Sequence, residues 1–270
     1  MRTERWIGVS LILVIALACV VVPVLDPVSP TVVGTPMQPP SAAHLLGTDQ
    51  LGRDIFVRLF YAGRIDLVLT TVSVLAASCV GTTVGLVVSA LPKTLRGIAL
   101  RLIDALNAIP YLVLVLGIVA GVGTKQVILG APAGAVAVVI ALVIAGWAPY
   151  ATLTLSQALL WRERESVIAA RLMGYSYPRI LLRHIGPAML PANISYAATH
   201  AVSTMSALAA LALLGVGVQE PTPELGQMMQ QGIALLPVAW WVSIIPGLAI
   251  LTLGIGFGLI SDSFDARTKR

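Results

Sequence analysis

Six long apolar runs, separated by shorter polar stretches, set the pattern of the chain. A helix rising about 1.5 Å per residue needs roughly 20 apolar residues to cross the ~30 Å hydrocarbon core of a bilayer. The runs that fit are Ile7–Val24, Leu67–Leu91, Ile103–Val122, Gly134–Leu155, Ile194–Val218 and Trp241–Ile260. A helix bonds all its backbone groups within one segment, so runs of this length in lipid predict helices rather than strands. Pro110, Pro149 and Pro246 lie within these runs and are expected to kink them. Gly81/Gly85 and Gly254/Gly258 have the spacing of close helix contacts. The fifth run is built from small residues, among them Ala197, Ala201, Ser203, Thr204, Ala207 and Ala210. It is expected to pack tightly against other helices or to line a polar path.

Two polar stretches carry further elements. Residues 26–61 begin rich in proline, hence extended, and then offer a helix capped at Thr48-Asp49, with Ile55/Leu59 and Phe56/Phe60 on an apolar face and Asp54/Arg58 spaced for an ion pair. Residues 156–193 read as two short helices with a break. The first, Glu163–Met173, has acidic residues in its first turn and Gly174 as its stop; the second starts at Tyr177 behind a Ser176 cap and ends at Gly186-Pro187. Its arginines are interleaved with Val167, Ile168, Leu172, Met173, Tyr175 and Tyr177, an apolar surface that suits a docking partner.

Composition excludes a soluble domain. The chain has 270 residues, 57% of them hydrophobic, plus 24 glycines, and 11% charged, against about 45–50% apolar (glycine included) and about 25% charged in globular proteins. The class is all-α and polytopic, with residues 1–66 holding the first membrane helix and an external segment, and 67–270 a core of five membrane helices with a loop at 156–193. The net charge of +5 does not point to nucleic acid, because thirteen of the 17 lysines and arginines fall on one set of loops if the N-terminus is cytoplasmic. Arg53, Arg58, Arg64 and Lys125 fall on the other set, so both termini are predicted inside. Trp6, Trp161, Trp240 and Trp241 sit near span ends, as interfacial anchors do. The basic start and Ala16-Leu17-Ala18-Cys19 faintly resemble a cleaved leader, but the apolar run continues through Val24 and reads as an uncleaved anchor.

No catalytic or metal-binding constellation is visible. His44, His184 and His200 are far apart, and the three lysines follow Pro92, Thr124 and Thr268, so no phosphate-binding loop of the Gly-Lys type exists. Cys19 and Cys79 both lie in apolar runs and imply no disulfide framework. Asp66 and Asp104 lie at span ends beside Arg64 and Arg101, where local ion pairs suffice, so no mid-bilayer carboxylate is read of the kind that ion-coupled carriers use. His200, with Ser203 and Thr204 beside it, either touches a permeating solute or packs as a neutral histidine against a neighbouring helix. No cofactor is implied, and if the chain moves solutes its energy must come from elsewhere. A membrane-embedded enzyme and an ion-gradient-driven secondary carrier are the competing readings.

Three stretches carry a resemblance. Glu165-Ser-Val-Ile-Ala-Ala-Arg-Leu-Met-Gly174, followed by Arg179 and Ile185-Gly186-Pro187, resembles the EAA loop of ABC-importer permeases. His44-Leu-Leu-Gly-Thr-Asp-Gln-Leu-Gly-Arg-Asp54 and Leu214-Gly-Val-Gly-Val-Gln219, continued by Pro221-Thr-Pro-Glu-Leu-Gly226, resemble the C-type permease of dipeptide, oligopeptide and nickel importers. The chain departs from that pattern at Ile168, where the motif has Glu, at Gly186, where it has Leu, and at Leu208, where many relatives carry an acid. The resemblance implies a cell-membrane permease that pairs with a homologous second permease, cytoplasmic ATP-binding subunits and an extracytoplasmic solute-binding protein. It also implies that Glu165, Ala169, Ala170, Arg171, Gly174 and Arg179 couple the chain to its ATPase.

Overall fold

The computed structural model describes residues 2–25, 29–124, 127 and 130–268, the side chains of 2–5 and 265–268 excepted. Of the charges that set the predicted orientation, Lys125, Lys269 and Arg270 and the side chains of Arg2, Arg5 and Arg267 lie outside the described residues. The described chain folds as α1 (Arg2–Leu25), α2 (Ile55–Ala90), α3 (Lys93–Asn107), α4 (Tyr111–Val122), α5 (Ala135–Arg162), α6 (Glu165–Leu172), α7 (Tyr177–Ile180), α8 (Gly186–Leu213), α9 (Leu225–Gly232) and α10 (Trp241–Thr268). A π turn spans Leu181–Ile185 and a 3-10 turn Ile233–Leu235. There is no strand among the described residues. Five helices are long and apolar enough to cross a membrane, or six if α3 and α4 count as one bent span.

The third predicted span is broken. α3 and α4 meet at 84°, with Ala108–Pro110 between them. Pro110 has no N–H to continue the ladder and drives the preceding Ile109 away from helical backbone. Pro149 and Pro246, by contrast, sit inside the continuous helices α5 and α10.

α2 runs longer than the second predicted span, because the short external helix and the span are one element of 36 residues. Its cap is Asp54, not Thr48-Asp49: the Asp54 carboxylate accepts the N–H groups of Phe56 (2.8 Å) and Val57 (3.3 Å). Committed there, and bonded to His44 Nδ1 at 2.8 Å, Asp54 does not pair with Arg58. Arg58 turns instead to Asp49 at 3.7 Å and to the Pro30 carbonyl at 3.3 Å. Asp49 itself is fixed by the N–H groups of Leu51 and Arg53, both at 2.9 Å, and by Arg53 Nε at 2.6 Å. The buried Arg53 reaches on to Glu220 (3.2 Å) and Gln231 (3.3 Å), so this end of α2 is tied to the loop before α9.

Close packing in a membrane comes from small residues that let backbones approach. Gly81 and Gly85 lie on α5: a β-carbon at Gly85 would stand 2.6 Å from the Ala151 carbonyl, and one at Gly81 would overlap that of Trp147. The expected Gly254/Gly258 contact is absent, with open space at both. Instead Gly256 meets Ile12 and Gly8 meets the Gly256 carbonyl, so this glycine pair makes the α1–α10 crossing. Trp241 is likewise no interfacial anchor. It is buried beneath Gly47 and donates its indole N–H to the Thr48 carbonyl at 3.2 Å, whereas Trp6 and Trp240 are exposed.

Candidate functional site

The loop after α5 has a defined shape. α6 begins at Glu165, two residues later than the sequence reading, and ends in a left-handed Gly174 (φ 79°). The Tyr175 N–H bonds the Ala170 carbonyl (3.1 Å) and the Gly174 N–H bonds that of Arg171 (2.9 Å), the two-bond Schellman stop. Ser176 occupies the cap position of α7 without a side-chain bond. Gly186-Pro187 does not end the second helix. The chain widens into the π turn, where the Gly186 N–H reaches back to the Leu181 carbonyl, and continues directly into α8. Widening the turn makes room for a ring that would crowd the preceding carbonyls of a regular helix.

α6 is two-faced. Val167 and Ala170 are buried with Ala158, Ile180, Ile185 and Met189 in one cluster. Ile168, Ala169, Arg171, Leu172, Met173 and Gly174 are exposed, as are Glu165 and Arg179. Of the two alanines expected to couple the chain to its ATPase, Ala169 faces out and Ala170 seats the helix on the bundle. Val167, read as part of the exposed docking face, is buried as well. Arg162 anchors the loop: its guanidinium donates to the Ser89 carbonyl at 2.7 Å and lies 4.9 Å above the Tyr177 ring. Arg171 approaches the same ring at 5.8 Å, and Arg179 covers Tyr175 at 5.5 Å.

The three residues read as pathway candidates separate. His200 and Thr204 point into the bundle and are buried, while Ser203 is exposed. His200 Nδ1 and Tyr150 Oη form a 3.2 Å hydrogen bond, and the ring is enclosed by Tyr111, Tyr150 and Tyr196 at centroid distances of 5.9, 5.4 and 6.2 Å. Gly146 makes room for it, since a β-carbon there would sit 2.5 Å from the imidazole. The Tyr111 and Thr204 hydroxyls face each other, and His200 Nε2 is buried without a hydrogen-bond partner among the described residues. The tyrosines were missed by the sequence reading; the available signal was three hydroxyl-bearing rings inside or beside apolar runs, each needing a partner.

At the opposite end from α6, the sequence reading placed Asp66 beside Arg64 as a local ion pair, and that pair does not form. Asp66 makes no ion pair with Arg64, nor Asp104 with Arg101; Asp66 is buried and accepts the Leu225 N–H at 3.4 Å. Glu224 is buried as the cap of α9, accepting from Gly226 (3.0 Å) and Gln227 (2.8 Å). Burial pushes the Glu224 carboxyl up to about 7, against the opposing pull of those two N–H bonds. Beside it a polar cavity of about 360 Å³ opens between the end of α8 and α9, lined by Glu220 and by Gln219, Gln227, Gln230 and Gln231.

Comparison with known proteins places this architecture. The chain is 32% identical over 264 residues to the dipeptide transport system permease protein DppC of Haemophilus influenzae, covering 95% of this chain and 86% of that one. It is 33% identical over 223 residues to the glutathione transport system permease protein GsiD of Pectobacterium atrosepticum, covering 83% and 71%. Its fold matches the MetNI methionine ABC transporter solved in inward-facing conformations, with a TM-score of 0.60 at 19% identity, over 77% of this chain and 96% of that one. Residues 81–270 match the family of binding-protein-dependent transport system inner membrane components, and the chain belongs to that family.

Proposed function

We infer that the chain is the permease subunit of an ATP-driven ABC importer, forms half of a translocation pathway for peptides, and takes its energy from a separate ATPase. Family membership and the peptide-transporting relatives support the reading. The observation that carries it is α6. It is a short helix with a Schellman stop, pinned on its inner face by Val167 and Ala170, with Ile168, Ala169, Leu172 and Met173 free on its outer face. A segment built this way transmits displacement into α5 and α8, whereas an unpinned loop would absorb it.

In this reading the 156–193 loop and both termini lie in the cytoplasm, and ATP-binding subunits grip the outer face of α6. Apolar contact dominates the grip, because exposed ion pairs through Glu165, Arg171 or Arg179 are worth only about 0–1 kcal/mol each. The Arg53–Asp49–Glu220 end faces a solute-binding protein outside, and a homologous second permease completes the pathway with the exposed Ser203 side of α8. Reconstitution tests the whole reading. In proteoliposomes holding the chain with its partner subunits, uptake of a labelled dipeptide should require ATP and binding protein and be indifferent to proton or sodium gradients. Uptake driven by an ion gradient alone would replace it with a secondary carrier.

A further inference from the structure

We propose that the cavity between the C-terminal end of α8 and α9 is a solute subsite that takes the amino end of a short peptide; this rests on the peptide-importer reading above. Its volume, about 360 Å³, lies at the small end of ligand pockets. Glu220 is the one charged side chain in its wall. Glu220 Oε1 receives Arg53 Nη1 (3.2 Å) and Gln231 Nε2 (2.9 Å), while Oε2 receives no bond from the described residues. Gln227 Oε1 is buried without a partner. The negative end of the α8 dipole, closed by left-handed Gly215, borders the same space.

Every one of these features favours a donor carrying positive charge. The groups that would favour an anion are engaged elsewhere. Arg53 is buried behind Glu220, and the positive end of α9 is already covered by Asp66 and Glu224. Gln219, Gln227 and Gln231 each donate one N–H to the wall itself, to the Gly217 and Val218 carbonyls and to Glu220, which leaves Gln227 Oε1 and the Gln230 amide to meet the N–H and C=O of a peptide bond. An ammonium group followed by an amide is the chemistry that fits.

The test uses the complete transporter in lipid nanodiscs without its binding protein, with radiolabelled dialanine as probe. Wild type should bind dialanine saturably, and N-acetyldialanine should fail to compete. Glu220→Gln should weaken binding at least tenfold. Gln230→Trp, which fills the cavity from an exposed position that bonds nothing in the Arg53 network, should do the same at an unchanged melting temperature. Undiminished binding in both variants, equal competition by the acetylated peptide, or no saturable binding by wild type overturns the subsite. ATP-driven dialanine uptake with binding protein present is measured in parallel. Uptake without cavity binding sinks the subsite alone, and absence of uptake sinks the peptide-importer reading.

Discussion

Arg162 and Ser89 meet at 2.7 Å across 73 residues of sequence, the arginine's guanidinium closing on a carbonyl in the last turn of α2. The same guanidinium covers Tyr177, so a single side chain joins α2, the end of α5 and the start of α7. A hydrogen bond to a charged group contributes about 1.5–3 kcal/mol. Arg162→Ala should therefore speed amide hydrogen exchange across residues 165–180 roughly tenfold or more while membrane insertion persists. Exchange unchanged in that window would remove Arg162 from the anchor.

Gly174 separates backbone strain from surface contact. Its φ of 79° costs an ordinary L-residue about 1–2 kcal/mol, and Asn tolerates it better than a β-branched residue. A β-carbon there meets nothing within 4 Å. Gly174→Val should uncouple ATP hydrolysis from uptake in the reconstituted transporter, and Gly174→Asn should retain most of it. Equal transport by all three proteins would count against a mechanical role for the stop.

Glu224 gives the fold a pH dependence of definite sign. Its carboxyl binds a proton more tightly folded (about 7) than free (4.5). The stabilisation is fully present below the unfolded value and is lost as pH rises through about 7. The melting temperature of the purified protein should fall between pH 5 and 8, and Glu224→Gln should flatten that fall. Asp66 from α2 faces the same carboxyl and is left in place in the variant. A melting temperature that climbs with pH over this range would refute the assignment.

The two glycine pairs separate packing from spacing. Overpacking of a tight contact costs typically about 1–3 kcal/mol. Gly85→Leu should lower the thermal stability of the isolated chain by that amount or abolish its accumulation, because backbone and Thr154 stand in the way. Gly254→Leu, in open space, should leave the isolated chain unchanged. Thermal unfolding in detergent checks both.

The spans were readable because lipid demands long apolar helices, and Trp241 marks the start of α10 as the hydrophobic run does. What sequence did not disclose were features decided by partners far along the chain. Asp66 reads as a boundary because a carboxylate belongs near water; its partner, the Leu225 N–H, lies 159 residues away. Asp54 and Arg58 have ion-pair spacing, yet each found a better partner in His44 and Asp49. Gly186-Pro187 has the form of a helix stop, and only the π turn before it carries the helix through. On the candidate coupling helix, the exposed Leu172 and Met173 are visible in the pattern. The inward turn of Val167 and Ala170 depends on a cluster assembled from α5, α7 and α8.

α2 spans 36 residues without interruption, a rod of about 54 Å, well beyond the ~30 Å of a hydrocarbon layer. One tip is clasped by Asp54 and the Arg58–Asp49 knot, the other by Arg162, and its last third is wedged against α5 through Gly81 and Gly85. Such a rod behaves as a lever whose fulcrum lies toward the Arg162 end, with a short arm of about 10 Å and a long one of about 42 Å. A rock of a few degrees at one tip swings the far tip the opposite way by a couple of ångströms, with no joint between them to take up the motion.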